Sequence, residues 1–554
     1  LKLQGGNCMN EELQRNVLSR LCVGDILRRV AINKPDNKAL IYSYAGEIKR
    51  TITYKELNTE VNRFANALKQ MGVKKGDRIA IVSYNCIQYA IYVLALAKIG
   101  AWITPYNYAL KGREIKDLVL HCEPVMFIVE DDLMENVLGI SDELPSVKNF
   151  VMINLNGKTT LPEGWLDFDD LCSEKYPDDE PYEIITGDDV CCMMYTSGTE
   201  AMPKGVLNTH ANWYATLLSG LTDFGTLMSE KSLVLGVAPL FHVAGVSALF
   251  GYINLGATTV MLHRPDPEFV MKAFQSFQFT DSILAPTVVS NLLNMPDGEN
   301  LIKTLFGSYR YVTLYGSPTT DAMMKKIMEL LPNAYFQNYY GQSELTPLGT
   351  TLKFPDLLRK MKESNERFNG AEAIGQSHAV LEMKVVDEND VELPPGEIGE
   401  MVTRGPCVMK GYYKEEEKTN ETFKNGWHHT GDLAVMDEER YYYFVDRKKD
   451  IIKSGAENIS SVEIEQWIAK HPKVAESCVM GLFHPKWVEA TTAFVVSKED
   501  DPVTPEEIRL YCKEGLAGYK VPKKVIMVDE IPKLPSGKFL KRDLKVKYKA
   551  IYEE

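Results

Sequence analysis

The residues best suited to chemistry form one short loop at positions 195–205, with the sequence Tyr-Thr-Ser-Gly-Thr-Glu-Ala-Met-Pro-Lys-Gly. It combines three aliphatic hydroxyls, two glycines and a lysine, and it follows an apolar run at 190–194 that predicts a buried strand. Glycines allow a close approach of the backbone, and hydroxyls, N–H groups and a lysine can surround phosphate oxygens. The loop does not fit the Walker A pattern G-x-x-x-x-G-K-[ST]. The sequence favours a phosphate-binding loop, and the alternative is an ordinary surface turn.

Four further motifs follow downstream of this loop. Their sequences are QNYYGQSE at 337–344, WHHTGD at 427–432, DRKKD at 446–450 and PKLPSGK at 532–538. Each is weak alone. Their order and spacing together resemble the adenylate-forming superfamily, which contains acyl-CoA synthetases, peptide-synthetase adenylation domains and beetle luciferases. The resemblance extends from about residue 53 to about residue 543, and it is closest to fatty-acid-type acyl-CoA ligases.

The resemblance implies a ligase with two half-reactions. A carboxylate and ATP first give an acyl-adenylate and pyrophosphate, and a thiol then attacks the adenylate. A carboxylate is a poor electrophile, and joining it to AMP supplies a good leaving group. The protein must then position the acid and neutralise charge at the α-phosphate. The implied co-substrates are ATP and coenzyme A, with Mg²⁺ as cofactor.

The same resemblance implies which residues bind the nucleotide. The loop at 195–205, called the hydroxyl loop below, would hold the β- and γ-phosphates together with its Lys204. Tyr340 would stack on adenine, and Asp432 would accept hydrogen bonds from the ribose hydroxyls. Glu344 and Thr196 would hold Mg²⁺, which prefers oxygen ligands. The full set implied for ATP and AMP is Thr196, Ser197, Gly198, Thr199, Lys204, Gly316, Ser317, Pro318, Tyr340, Gly341, Ser343, Asp432 and Arg447.

The resemblance also implies which residues take part in the reaction itself. Lys538 resembles the lysine that bridges the carboxylate and the α-phosphate, where a point-like ammonium suits developing charge. Glu344 and His242 complete the expected catalytic set. Lys449 matches a hinge about which a small domain rotates, and a solvated linker lysine is the alternative. A coenzyme A channel is implied along Lys453, Ser454 and Gly455.

The expected acyl pocket is apolar, which favours a medium- or long-chain fatty acid. An aryl or alicyclic acid is the second interpretation. Loading of a carrier protein in trans, a luciferase and a catalytically inactive relative that binds nucleotide or acyl groups are further alternatives. The residues expected to line the pocket are Trp213, Val243, Gly245, Val246, Pro286, Thr346 and Gly349.

The phosphate-binding loop departs from the family pattern at two positions. Glu200 and Ala201 stand where the family commonly has threonine and glycine. Ala201 makes a positive φ less favourable, and Glu200 adds negative charge beside the expected phosphates. We therefore expect altered ATP affinity with an unchanged reaction class.

Composition and patterning set the expected architecture. A chain of 554 residues with 45% hydrophobic residues predicts several folding units of a soluble protein. Alternating strand and helix patterns predict an α/β fold: a large N-terminal domain of helix-covered, mainly parallel sheets with a small β-barrel-like subdomain, and a mobile α+β C-terminal domain. The expected boundaries are 9–448 for the AMP-binding domain and 449–554 for the mobile domain. The eight residues before Met9 are expected to lie outside the fold.

The net charge and the cysteines limit which binding partners and which cellular compartment we expect. A net charge of −14 argues against nucleic-acid binding, which needs a basic face. Ten cysteines without a C-x-x-C pair predict neither a zinc site nor a disulfide framework, so we expect a cytoplasmic protein. The most apolar segment, 87–103, is broken by Gln88 and Lys98, so no transmembrane segment is expected. A homodimer and a peripheral membrane contact remain open.

Local patterns predict individual elements. Thr53 with Glu56, and Thr504 with Glu507, read as capping boxes that begin helices. Other segments expected to be regular are strands at 78–83, 256–262, 282–286 and 490–497, helices from 87 and at 462–471, and short strands with a turn at 382–404.

Overall fold

In the computed structural model, the described residues form three β-sheets. The structure describes residues 10–157, 159–196, 203–224, 228–284, 286–293, 295–315, 321–354, 356–368, 371–454, 457–498, 500–533 and 539–552. Among these, no helix is long and apolar enough to cross a membrane.

The strands of the described residues are, in chain order, β1 (Lys38–Tyr44), β2 (Glu47–Thr53), β3 (Arg78–Val82), β4 (Trp102–Tyr106), β5 (Met126–Glu130), β6 (Asn149–Ile153), β7 (Leu166–Asp167), β8 (Val190–Thr196), β9 (Lys204–Thr209), β10 (Leu233–Gly236), β11 (Thr258–Leu262), β12 (Asp281–Leu284), β13 (Tyr311–Tyr315), β14 (Tyr335–Tyr340), β15 (Thr350–Lys353), β16 (Glu372–Ser377), β17 (Glu382–Val386), β18 (Ile398–Arg404), β19 (Gly411–Tyr412), β20 (Phe423–Lys424), β21 (Trp427–Met436), β22 (Tyr442–Arg447), β23 (Ile452–Ser454), β24 (Glu457–Ile459), β25 (Val474–His484), β26 (Val488–Ser497) and β27 (Lys524–Met527).

The α-helices are α1 (Glu11–Ser19), α2 (Asp25–Asn33), α3 (Tyr54–Gln70), α4 (Ile87–Ile99), α5 (Gly112–Cys122), α6 (Glu135–Leu138), α7 (Phe168–Leu171), α8 (His210–Phe224), α9 (Val243–Leu255), α10 (Pro267–Ser276), α11 (Pro286–Leu293), α12 (Gly298–Phe306), α13 (Asp321–Leu330), α14 (Asp356–Arg367), α15 (Glu416–Thr422), α16 (Ser461–Ile468), α17 (Pro505–Gly515) and α18 (Lys541–Lys547).

Strand pairing explains how these elements are layered. The first sheet has the order β19-β9-β8-β4-β3-β5-β6-β7, and its strands from β8 to β7 pair in parallel. In the second sheet β1, β11, β10, β12, β13 and β14 pair in parallel. That sheet continues through β15 and β16 into the antiparallel strands β22, β21, β18 and β17. The third sheet contains β23 to β27 and belongs to the C-terminal part of the chain.

One hydrophobic core joins the two large sheets. Helix α4 is buried along its whole length, from Ile87 to Ile99, and apart from Gln88, Lys98 and its two tyrosines its side chains are aliphatic. The core cluster contains its residues together with Ile81 of the first sheet and Met261 of the second. The two sheets therefore form one helix-covered body, as an α/β fold predicts.

Several local expectations are confirmed. Both capping boxes are present: Thr53 and Glu56 begin α3, and Thr504 and Glu507 begin α17. The strands expected at 190–194 and 78–83 correspond to β8 and β3. Each of these signals is local, because a cap or a short apolar run needs no distant partner to be recognised.

Two expected strand boundaries were wrong, and the helix expected at 462–471 spans Ser461–Ile468. The strand predicted at 282–286 ends at Leu284, and Pro286 is the first residue of α11, where its missing N–H costs nothing. The strand predicted from Gly256 begins at Thr258. Gly256 instead terminates α9 with φ +72°, a left-handed conformation that glycine adopts without strain.

Candidate active site

The hydroxyl loop is carried by a β-hairpin. Thr196, the last residue of β8, and Lys204, the first of β9, are register partners. The Thr196 hydroxyl lies 3.5 Å from the Lys204 carbonyl oxygen. Antiparallel pairing thus holds the two ends of the loop together, with a hydroxyl on one side and an ammonium on the other. Ser197, Gly198, Thr199, Glu200 and Ala201 lie outside the described residues.

A network of polar side chains surrounds Asp432 on β21. The Tyr340 hydroxyl donates to Asp432 Oδ2 at 2.6 Å, and Gln342 Nε2 donates to the same oxygen at 2.6 Å. Gln342 also donates to the Thr430 carbonyl oxygen at 3.1 Å. Burial and the Asp432 carboxylate raise the pKa of Tyr340 well above its ordinary value, so the hydroxyl stays a donor.

Arg447 approaches Asp432 from the neighbouring strand. The two residues are register partners of β22 and β21, and Arg447 Nε lies 3.6 Å from Asp432 Oδ1. Asp432 is buried, and burying a carboxylate is costly unless hydrogen-bond donors and a cation lie beside it. Two donors on one oxygen and a guanidinium near the other fix the carboxylate in place, which suits a group that must receive two hydroxyl donors.

A second network fixes the turn before Asp432. Glu400 Oε1 accepts from the Gly431 N–H at 3.1 Å, and Glu400 Oε2 lies 2.9 Å from Lys448 Nζ. Gly431 has φ +72°, which a side chain would strain. Glu400 thereby connects the Asp432 turn with the residue next to the expected hinge at Lys449.

Glu344 lies beside the base of the hydroxyl loop. Its Oε1 accepts from the Tyr412 hydroxyl at 3.0 Å, and Lys204 Nζ lies 5.1 Å from the centre of the Tyr412 ring. Tyr412 on β19 therefore contacts both groups. Mg²⁺ prefers oxygen ligands such as carboxylates and hydroxyls, so Glu344 and Thr196 are chemically suited to hold it.

The segment between Tyr340 and Glu344 allows no side chain at Gly341. A Cβ built there would lie 1.6 Å from the Pro347 carbonyl oxygen. The next residues are anchored from behind, because Asn208 Nδ2 donates to the Ser343 carbonyl oxygen at 3.0 Å and to Thr346 Oγ1 at 2.8 Å. This close packing fixes the direction in which Ser343 and Glu344 leave the sheet.

The expected acyl residues fall into two groups. Val243, Gly245 and Val246 are buried at the start of α9. Trp213 on α8 contacts Phe250 of α9, with ring centres 5.4 Å apart. His242 caps α9, its Nδ1 accepting from the Ala244 N–H at 3.2 Å.

The second group contains Gly349, Thr346 and Pro286. A Cβ on Gly349 would lie 3.0 Å from the Tyr340 ring, so Gly349 packs directly against it. Thr346 is buried, and its hydroxyl donates to the Cys407 carbonyl oxygen. Pro286 is buried at the start of α11.

A cavity lies beneath α9. It is lined by Gly245 and Leu249 of α9, by Leu240, and by strand residues that include Leu235 and Met261. Its volume is about 30 Å³, enough for a water molecule and far too small for an acyl chain. An acyl substrate would need side chains of this region to move.

The C-terminal part contributes fewer described site residues. Partial burial and the nearby Arg447 lower the pKa of Lys449. The Lys453 N–H donates to Glu489 Oε2 at 2.8 Å, and Ser454 is the register partner of Val488. Lys538, Gly455, Gly316, Ser317 and Pro318 all lie outside the described residues.

Sequence reasoning assigned no role to several residues that now contact the site: Gln342, Glu400, Tyr412 and Asn208. Gln342 belongs to the motif at 337–344, and its amide could have suggested a hydrogen-bonding role in the site. Tyr412, Glu400 and Asn208 carry no local signal, because their partners are distant in the chain.

Comparison with known families gives two matches. Residues 27–413 match the family described as AMP-binding enzyme. Residues 463–538 match the family described as AMP-binding enzyme C-terminal domain. Together they account for most of the chain.

Relatives of known name are similar over almost their whole length. A long-chain-fatty-acid–CoA ligase of Thermus thermophilus is 31% identical over 99% of both chains. A 2-succinylbenzoate–CoA ligase of Bacillus licheniformis is 32% identical over 94% of this chain and 98% of its own. Among solved structures, an o-succinylbenzoate CoA synthetase of Bacillus subtilis, in complex with its acyl-adenylate intermediate, is 29% identical, with a TM-score of 0.77 over 94% of this chain and 98% of that one.

Proposed function

This chain belongs to the AMP-binding enzyme family, and we propose that it is an ATP-dependent carboxylic acid–CoA ligase acting on a medium- or long-chain fatty acid. The observation that carries the proposal is the Asp432 network. It fixes a buried carboxylate beside Arg447 and Tyr340, and Tyr340 belongs to the same short segment as Glu344. Such an arrangement suits recognition of a ribose with an adjacent base.

The first half-reaction joins the acid to AMP. An oxygen of the substrate carboxylate attacks the α-phosphorus of ATP, and the bond to the β-phosphate oxygen breaks to release pyrophosphate. Lys204 and the hydroxyl loop would hold the β- and γ-phosphates. Mg²⁺, held by Glu344 and Thr196, would neutralise phosphate charge. Lys538 would stabilise the charge that develops between the carboxylate and the α-phosphate.

The second half-reaction transfers the acyl group to coenzyme A. The thiol sulfur attacks the acyl carbon, the thiol loses its proton, and the bond from that carbon to the AMP oxygen breaks. We assign residues 9–448 to the nucleotide-binding domain and 449–554 to a domain that rotates about Lys449 between the two steps. The segment with Lys453 and Ser454 would then face the thiol.

The choice of acid follows from the residues that we expect to line the acyl pocket. The described residues of that lining are uncharged, and Val243, Val246 and Trp213 are buried and apolar. An apolar lining suits an alkyl chain and gives a second carboxylate no cationic partner. The name of the Thermus thermophilus relative agrees with this choice, whereas that of the Bacillus relative includes a dicarboxylic acid.

An acid panel tests the proposal. Pyrophosphate exchange into ATP and thioester formation are measured with medium- and long-chain fatty acids, cinnamic-type acids and succinylbenzoate. We expect acid-dependent exchange, a coenzyme A thioester as product and the highest kcat/KM with a fatty acid. Exchange without thioester would favour an acyl carrier protein as acceptor. A higher kcat/KM with an aromatic acid would overturn the assigned substrate class.

A further inference from the structure

A second cluster of polar side chains lies where strands of the two large sheets end. Glu130 is the last residue of β5, Asp132 is two residues further along the chain, and His263 directly follows β11. Glu130 Oε1 lies 3.2 Å from His263 Nε2, and Asp132 Oδ2 lies 4.0 Å from the same nitrogen. None of these residues belongs to the nucleotide site.

The cluster contains two buried polar atoms that have no hydrogen-bond partner among the described residues. Glu130 and His263 have no exposed side-chain surface, and within the described part of the chain no group approaches Glu130 Oε1 or His263 Nε2 with hydrogen-bonding geometry. The other carboxylate oxygen of Glu130 is satisfied, since it accepts from Ser83 Oγ at 2.7 Å and from the Tyr84 N–H at 2.8 Å. Burying such groups unpaired is costly, and a bound cation would remove that cost.

We propose that Glu130, Asp132 and His263 bind a divalent transition-metal cation such as Mn²⁺ or Zn²⁺. The three donor atoms lie within 4.8 Å of one another. Donors held about 2.1 Å from one cation lie roughly 3.0 to 4.2 Å apart, so small side-chain shifts complete the set. Two carboxylates and one imidazole match cations that accept both oxygen and nitrogen.

The surroundings orient the donors. His263 Nδ1 lies 2.9 Å from the Tyr42 hydroxyl, and a proton on Nδ1 donated to that oxygen leaves the Nε2 lone pair for the metal. Asp132 is 23% exposed and provides the path from solvent. The adjacent Arg264 is engaged elsewhere, over the Tyr84 ring and 3.6 Å from Asp266.

The site would connect segments that reach the expected acyl region. The Asn85 N–H donates to the His263 carbonyl oxygen at 3.1 Å, and Asn85 Oδ1 accepts from the Leu240 N–H at 3.0 Å. Leu240 precedes His242 and lines the cavity beneath α9. A cation at His263 would therefore stabilise the loop that begins α9.

Binding of Mn²⁺ to the whole protein without nucleotide tests the proposal. Mn²⁺ is the probe because it binds thiols weakly. The nine described cysteines are also buried, so they should not compete for the ion. Electron paramagnetic resonance and calorimetry should detect one site in the unmodified protein. Asp132→Asn changes the most exposed of the three donors and should weaken binding at least tenfold with little change in fold.

Two control variants separate this site from other acids. Glu344→Gln removes the expected Mg²⁺ ligand of the nucleotide site and should leave nucleotide-free Mn²⁺ binding unchanged. Glu363, Asp437 and Glu439 form another acidic cluster, and Lys360 Nζ already contacts all three carboxylates. Glu439→Gln should therefore also leave Mn²⁺ binding unchanged. The proposal is overturned if the unmodified protein binds no Mn²⁺ without nucleotide, or if Asp132→Asn binds it as tightly.

Discussion

The hydroxyl of Tyr340 donates to Asp432 Oδ2 at 2.6 Å and so joins the end of β14 to the middle of β21. One tyrosine thereby supplies an aromatic face beside Gly349 and also fixes a buried carboxylate. In the proposed reaction these are the groups that recognise the base and the ribose.

Tyr340→Phe separates the two roles of this side chain. It keeps the ring and removes the donor, and a hydrogen bond to a charged group contributes about 1.5–3 kcal/mol. We expect KM for ATP to rise about tenfold or more, with a small change in KM for the acid. Steady-state kinetics measures both, and Tyr339→Phe on the same strand serves as the control. An unchanged KM for ATP would exclude a role for the hydroxyl in nucleotide binding.

Gly341→Ala tests the packing that directs Ser343 and Glu344. The added Cβ would meet the Pro347 carbonyl oxygen at 1.6 Å, so the backbone must shift. Overpacking of this kind costs about 1–3 kcal/mol. We expect a clearly lower Tm in thermal unfolding. Gly518→Ala is the matched control, because a Cβ there meets no atom of the described residues within 4 Å, and its Tm should stay close to that of the unmodified protein.

Tyr412→Phe tests the contact that orients Glu344. Loss of the hydroxyl frees the carboxylate to rotate, so we expect the Mg²⁺ concentration for half-maximal activity to rise about threefold to tenfold, the loss of about one net hydrogen bond. The measurement is a Mg²⁺ titration of pyrophosphate exchange at saturating ATP. Tyr413→Phe alters the neighbouring tyrosine, which packs on Trp102 and His121, and should leave the titration unchanged. Equal shifts in both variants would contradict the assigned contact.

Lys538→Ala tests the division of labour between the half-reactions. Because Lys538 is assigned to charge that develops during adenylation, pyrophosphate exchange should fall at least a hundredfold, about 2.7 kcal/mol of transition-state stabilisation. Thioester formation from chemically prepared acyl-adenylate should stay within a few-fold of the unmodified rate. A comparable loss in both assays would refute the assignment.

The sequence predicted the features that depend on neighbouring residues. The caps at Thr53 and Thr504 and the strand before the hydroxyl loop follow from a few adjacent side chains. The boundaries at Gly256 and Pro286 were missed, because apolar runs alone do not show whether a glycine or proline ends one element or begins another.

The contacts of the site could not be predicted in the same way. Tyr340 and Asp432 are 92 residues apart, and Tyr412 and Glu344 are 68 apart. Periodicity and caps contain no information about such pairs. They arise only when the second sheet connects β14 to β21 through β15, β16 and β22, and when β19 pairs with β9 in the first sheet. The motifs indicated which residues to examine, and the fold determined which of them meet.

The most direct test of the proposed activity follows the oxygen atoms of the acid. A fatty acid labelled with oxygen-18 in both carboxylate positions is incubated with the protein, ATP, Mg²⁺ and coenzyme A, and the products are analysed by mass spectrometry. If an acyl-adenylate forms and a thiol displaces AMP, one labelled oxygen must appear in AMP and the other must remain in the thioester. Label in inorganic phosphate with ADP as the nucleotide product, or AMP without label, would contradict an adenylate-forming ligase.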